Sequence, residues 1–143
     1  MLRVLFDVNA LIAIVDEEHV HHRVAHEWWA ANQSAGWATC PLTENGLARI
    51  MSQPGYKNPV TTTFAIDLLA EQMGETDHAF WPDDISLRDG TRFDPSSILG
   101  PNQITDVYLL ALAVRNGGRL ATLDRSVPLR AVRGAEPRHL SVI

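Results

Sequence analysis

Hydrophobic positions along the chain follow two different periods, and the switches between them outline the elements. The opening run LRVLF is almost wholly apolar, which predicts a central strand covered on both faces, and the chain then turns into a helix near Val8 to Val15. From His19 the stretch HVHHRVAHEWWAANQ places Val20, Val24 and Trp28 at four-residue spacing and predicts a second helix. AGWATC reads as the next strand, and CPLTENGLARIMS as a helix with Pro41 in its first turn and Thr43 as its cap. PVTTTFAIDLLAEQM predicts another helix, stopped by Gly74, and HAFWP a short strand ended by Pro82. The segment DDISLRDGTRFDPSSILGPNQ is crowded with turn formers and reads as a loop. ITDVYLLALAVRN is the most regular helix, closed by the Gly117 and Gly118 pair, and RLATL and RHLSVI complete the strands.

Strands alternating with helices imply an α/β sandwich around a mainly parallel sheet with right-handed crossovers. Sites in such folds gather at the carboxyl edge of the strands. Asp7 ends the first strand there, in the middle of an apolar run, where an unpaired charge is costly. Asp124 ends RLATL in the same way, while Glu44 and Asp106 lie in opening helical turns, which the antiparallel helices bring to the same edge. Taken singly, helix-start acids are favoured by the macrodipole and strand-end acids cap turns. Together they raise an electrostatic problem, because adjacent carboxylates repel by about 4 kcal/mol per pair at 4 Å and an effective dielectric near 20. Protonation offsets that repulsion, as does a divalent cation, and an all-oxygen set favours Mg²⁺ or Mn²⁺ over zinc. Asn9, two residues after Asp7, is placed to orient a ligand or a water.

Composition narrows the setting without choosing a partner. The length of 143 residues suits a single domain spanning 1–143. A net charge of −5 argues against a general polycation for nucleic acid but leaves room for a local basic strip. Cys40 is the sole cysteine, which excludes an intramolecular disulfide and a Cys-based zinc cluster. The interrupted N-terminal run matches neither a signal peptide nor a membrane span, so a cytoplasmic protein with no membrane partner is expected.

FDVNALIA, PLTENGLARI, ITDVYLLALA and GGRLATLDR, in that order, resemble the PIN-domain ribonucleases, most closely the VapC toxins of type II (VapBC) toxin–antitoxin pairs. The resemblance runs from Asp7 to Asp124 and implies a PIN-like α/β/α sandwich. The family's acidic quartet falls on Asp7, Glu44, Asp106 and Asp124 as catalytic and metal-binding residues, with Asn9 and Thr105 beside the site. By the same resemblance, Asp7 and Asp106 would bind the principal metal, with Glu44 and Asp124 supporting. It further implies Mg²⁺- or Mn²⁺-dependent hydrolysis of RNA by metal-activated water, a homodimer, and a small VapB-like antitoxin laid across the groove. The apolar helices HRVAHEWWAAN and TTTFAIDLLAEQM point toward a homodimer as well.

Other features carry weaker expectations. His19, His22 and His26 share helical spacing, read as a polar, partly exposed face, and the Trp residues as core or interface packing. Basic residues are almost all Arg, which suits phosphate, and Arg125 beside Asp124 is the candidate RNA contact. Asp83, Asp84, Asp89 and Asp94 read as a solvated loop outside the site. Two rival readings remain at this stage: a phosphotransfer or phosphatase α/β domain, for which Lys57 in PGYKNP is the only available lysine, and a non-catalytic PIN-like binding module.

Overall fold

The computed structural model describes residues 1–143. Five parallel strands form one sheet: β1 (Val4–Phe6), β2 (Trp37–Thr39), β3 (His78–Phe80), β4 (Arg119–Thr122) and β5 (Leu140–Val142). Their order across the sheet is β3-β2-β1-β4-β5. The helices are α1 (Val8–Val15), α2 (His22–Asn32), α3 (Pro41–Met51), α4 (Thr62–Gly74) and α5 (Ile104–Arg115), and none is long and apolar enough to cross a membrane.

Strand alternation divides the interior in two. Val4 and Phe6 of β1 face α1, α3 and α4, in a cluster with Leu11, Leu47 and Leu69. Leu5 faces the other way, into a cluster built on Leu109, Leu110 and Leu112 of α5 together with Leu120 of β4. The sheet is therefore buried on both sides, as the apolar run LRVLF requires. β1 lies between β2 and β4, paired with β4 through Val4 to Arg119 and Phe6 to Ala121. The chain winds outward through β2 and β3 on one side of β1 and returns to lay β4 and β5 on the other. The carboxyl ends of β1 and β4 consequently border the crevice where the winding reverses, the position at which open α/β sheets bind ligands.

Several local expectations are corrected. The second helix begins at His22, not His19; α1 ends at Asp16, whose extended ψ of 103° breaks the helical path, and residues 16–21 form a turn. Val20 and Val24 are solvent-exposed, and the face turned inward carries Ala25 with Trp28 and Trp29, whose rings meet Phe6 edge-on. Cys40, not Thr43, occupies the N-cap of α3. Pro41 has no N–H to satisfy and takes the first helical position, so Thr43 falls at the third, where its hydroxyl accepts from the Cys40 amide at 3.1 Å. The 83–103 loop is not merely solvated: Phe93 is fully buried and bridges to Val132, Asp84 grips Arg115 with both carboxylate oxygens, and Asp83 accepts from the Leu42 amide at 2.9 Å. At the end of α5 the chain takes a positive φ of 68° at Gly117, the left-handed stop that the glycine pair predicts.

Candidate active site

Asp7 leaves β1 and caps α1, and both of its carboxylate oxygens are committed. Oδ1 accepts from the Ala10 amide at 2.8 Å, and Oδ2 accepts from the hydroxyl of Thr122 on β4. At 4% exposure the carboxylate is buried, and burial pushes its pKa up against the lowering effect of those two bonds, with Asp124 adding a smaller push. Thr122 also accepts from the Asp124 amide at 2.9 Å, so one hydroxyl ties the ends of β1 and β4 together. This threonine was not singled out in the sequence, because nothing local marks a strand residue whose hydroxyl meets an acid 115 positions away.

Asp106 stands in the first turn of α5, half-buried, with no hydrogen-bond donor or ion-pair partner. Its pKa is pushed up to about 6, first by burial and then by the charges of Asp7 and Asp124. Asp124 is exposed and differs in kind: Ser126 donates to Oδ1 through its amide at 2.8 Å and its hydroxyl at 2.7 Å, which holds the pKa below the usual carboxylate range. Asp7, Asp106 and Asp124, with Asn9 and Leu123, line one cleft of about 600 Å³. Its remaining lining comes from His19, Val20 and His21 in the turn between α1 and α2. The expected helix face of His19, His22 and His26 is corrected here, because His19 lies in this turn while His22 and His26 lie on α2.

Glu44 does not line this cleft. It lies in the first turn of α3, accepts a hydrogen bond from Thr39 Oγ1 at 2.6 Å, and borders a neighbouring groove between α3 and α4 with Leu47, Ile66 and Met73. His78 Nε2 donates to Thr39 Oγ1 at 2.8 Å, since that hydroxyl's single proton goes to Glu44. Thr105 and Arg125 are exposed and also lie outside the cleft walls. The His22 and His26 rings lie 5.5 Å apart on α2, tilted by 39°, with His22 Nδ1 donating to the Ala13 carbonyl at 2.7 Å, outside the cleft of the three aspartates.

No three His, Cys, Asp or Glu side chains are gathered into a ready-made metal cage. The chemistry of the cleft still fits a hard divalent cation: its anionic donors are all carboxylate oxygens, and Asp106 is a half-buried carboxylate that makes no hydrogen bond or ion pair.

A parallel sheet with three aspartates from separate elements converging at its switch point describes a class of domain, and the comparisons agree. The PIN domain family model matches residues 4–134. The chain is 44% identical over 142 residues to ribonuclease VapC44 of Mycobacterium tuberculosis, covering 99% of this chain and 100% of that protein. It is 43% identical over 124 residues to ribonuclease VapC39 of the same organism, covering 86% and 89% of the two chains. The fold is similar to a chain in the crystal structure of DNA-bound VapBC from Salmonella typhimurium, with a TM-score of 0.60 at 14% identity and coverage of 99% and 98%. The chain belongs to the PIN-domain family, and within it to the ribonucleases named VapC.

Proposed function

We propose that this protein is a metal-dependent endoribonuclease and the toxin of a VapBC-type toxin–antitoxin pair, acting as one PIN-like domain over residues 1–143 in the cytoplasm. The observation that carries the reading is the meeting of Asp7, Asp106 and Asp124 in one cleft of a chain 44% identical to a VapC ribonuclease over its full length.

Asp7 and Asp106 would hold Mg²⁺ or Mn²⁺, with Asp124 beside them and Glu44 in support. Such an ion supplies charge neutralisation at the phosphodiester and lowers the pKa of water. The residues themselves divide the remaining work. Asp7 is immobilised by Ala10 and Thr122, which fixes one carboxylate at the cleft floor. Asp106 has no partner to give up before it engages a cation. Asp124, kept ionised by Ser126, maintains negative charge at the rim, and Asn9 offers an amide to orient water or phosphate. Arg125, exposed next to Asp124, is suited to a flanking phosphate.

Two macromolecular partners follow from this reading. A small VapB-like antitoxin would lay an Arg into the acidic cleft and an amphipathic segment over apolar helix surface. A second copy of the chain would cover exposed apolar side chains of α4, where Phe64 is 55% and Ile66 56% exposed. The phosphotransfer alternative is disfavoured, because Lys57 is exposed on the loop after α3 and does not line the cleft.

The test is cleavage of single-stranded RNA by purified protein with Mg²⁺, with Mn²⁺ and with EDTA, alongside Asp7→Asn and Asp106→Asn. Cutting that needs the cation and is lost in both variants supports the reading; metal-independent cutting, or full activity in the variants, removes it. Growth arrest on expression, relieved by the neighbouring open reading frame, tests the toxin role separately.

A further inference from the structure

The cleft presents a difficulty for its proposed substrate. RNA is a polyanion, yet no Arg or Lys lines the cleft, and the only side-chain N–H donors on its walls belong to Asn9, His19 and His21. His19 is the donor whose chemistry is most narrowly defined. The His21 amide donates to His19 Nδ1 at 3.0 Å, so that nitrogen is an acceptor and the ring's proton lies on Nε2. Burial, with smaller contributions from His21 and His22 and against the opposing pull of Asp16, holds the imidazole pKa below its usual value, so the ring is neutral near pH 7.

The surrounding turn is also fixed. The His19 amide donates to the Asp16 carbonyl at 3.0 Å, Asp16 Oδ1 accepts from the Glu18 amide at 3.0 Å, and the Tyr56 hydroxyl donates to Asp16 Oδ2 from the far side of the turn. A neutral N–H donor held rigidly on the wall of an acidic cleft can approach a phosphate without forming an ion pair with the aspartates. That preorganisation is what a hydrogen bond to a reacting anion requires.

We propose that His19 is a phosphate-binding residue: its Nε2–H donates to a non-bridging oxygen of the RNA backbone as the strand crosses the three aspartates. The proposal rests on the nuclease reading for its substrate, and its chemistry separates it from a purely structural role. Gln carries its amide at the position of imidazole Nε2, whereas Asn carries its amide at the position of Nδ1. If Nε2 binds phosphate, His19→Gln keeps most of the function and His19→Asn loses it. If the ring serves only to accept from the His21 amide, the order is reversed.

The experiment compares His19→Ala, His19→Gln and His19→Asn for cleavage of a single-stranded oligoribonucleotide with Mg²⁺. In parallel, binding of the same oligonucleotide is read by fluorescence anisotropy with each substitution placed in the Asp106→Asn chain, and thermal melts confirm that each variant is folded. A hydrogen bond to a charged group is worth roughly tenfold to a hundredfold, so His19→Ala and His19→Asn should lower kcat/KM by that factor while His19→Gln stays within about threefold. Retained function in His19→Asn with loss in His19→Gln overturns the proposal, as does wild-type function in all three. If the unsubstituted protein cuts no RNA but the binding series keeps Gln above Asn, the nuclease reading fails and His19 remains a phosphate donor. Absence of both cleavage and binding in the unsubstituted protein overturns both.

Discussion

Asp106→Asn should stabilise the cation-free protein while abolishing its proposed activity. Folding raises the Asp106 pKa from 3.8 to about 6, through burial and then through Asp7 and Asp124, so the folded chain binds this proton more tightly than the unfolded chain. The stability contributed by the proton is fully present below about pH 3.8 and is lost as pH rises through about 6. At about 1.4 kcal/mol for each pH unit, that interval corresponds to an upper bound of roughly 3 kcal/mol. Solvent screening of a half-exposed group reduces it to about 1–2 kcal/mol. An uncharged amide of the same shape escapes the penalty, so at pH 7.5 in EDTA the variant should melt about 3–8 °C higher than the parent. The gap should close below pH 4, where the parent carboxyl is protonated too. It should also narrow when Mg²⁺ is added, because mass action stabilises only the chain that binds the ion. Asp7 titrates in the same field, so the midpoint of the pH profile belongs to the pair. Differential scanning calorimetry of both chains between pH 3.5 and 8 is the assay. A variant no more stable than the parent at pH 7.5, or a gap independent of pH, would show that burial and the neighbouring aspartates do not penalise the ionised Asp106 carboxylate.

Other consequences follow from neighbouring contacts. Thr122→Val removes the donor to buried Asp7 and the acceptor for the Asp124 amide; urea denaturation should show a loss of about 1–3 kcal/mol, with RNA cleavage reduced. Gly46→Ala places a Cβ 2.6 Å from Cγ2 of Val8, a stiff branched side chain next to Asp7, and should cost about 1–3 kcal/mol by the same measurement. Gly55→Ala, whose Cβ meets nothing within 4 Å, should stay within about 0.5 kcal/mol and serves as the control. Thr39→Val releases Glu44 from its only hydroxyl partner, and steady-state kinetics should show cleavage lowered about tenfold or more if Glu44 supports the cation.

Much of this molecule was legible in the chain because the signals are local. The apolar run at Val4 to Phe6 demands burial on both faces, the regular spacing in ITDVYLLALAVRN demands a helix, and Pro41 and Gly117 mark boundaries through their own backbone geometry. The strand-end positions of Asp7 and Asp124 and the helix-start position of Asp106 follow from those elements, and a parallel sheet sends all three to one edge. What the chain could not announce depends on partners distant in sequence. Strand order is decided by which apolar faces pack best against one another, and only that order makes β1 and β4 neighbours and gives Asp7 the Thr122 hydroxyl. Glu44 shares the edge yet is turned by Thr39 and His78 toward the groove between α3 and α4. The histidine spacing from His19 fitted a helix, but the Asp16 break and the Tyr56 hydroxyl from the loop after α3 hold a turn there instead, carrying His19 and His21 to the cleft. Periodicity records which residues are buried along one segment. Which segments meet is settled by packing and hydrogen bonding across the whole fold, because those contacts form only when the sheet and both of its helical layers are in place.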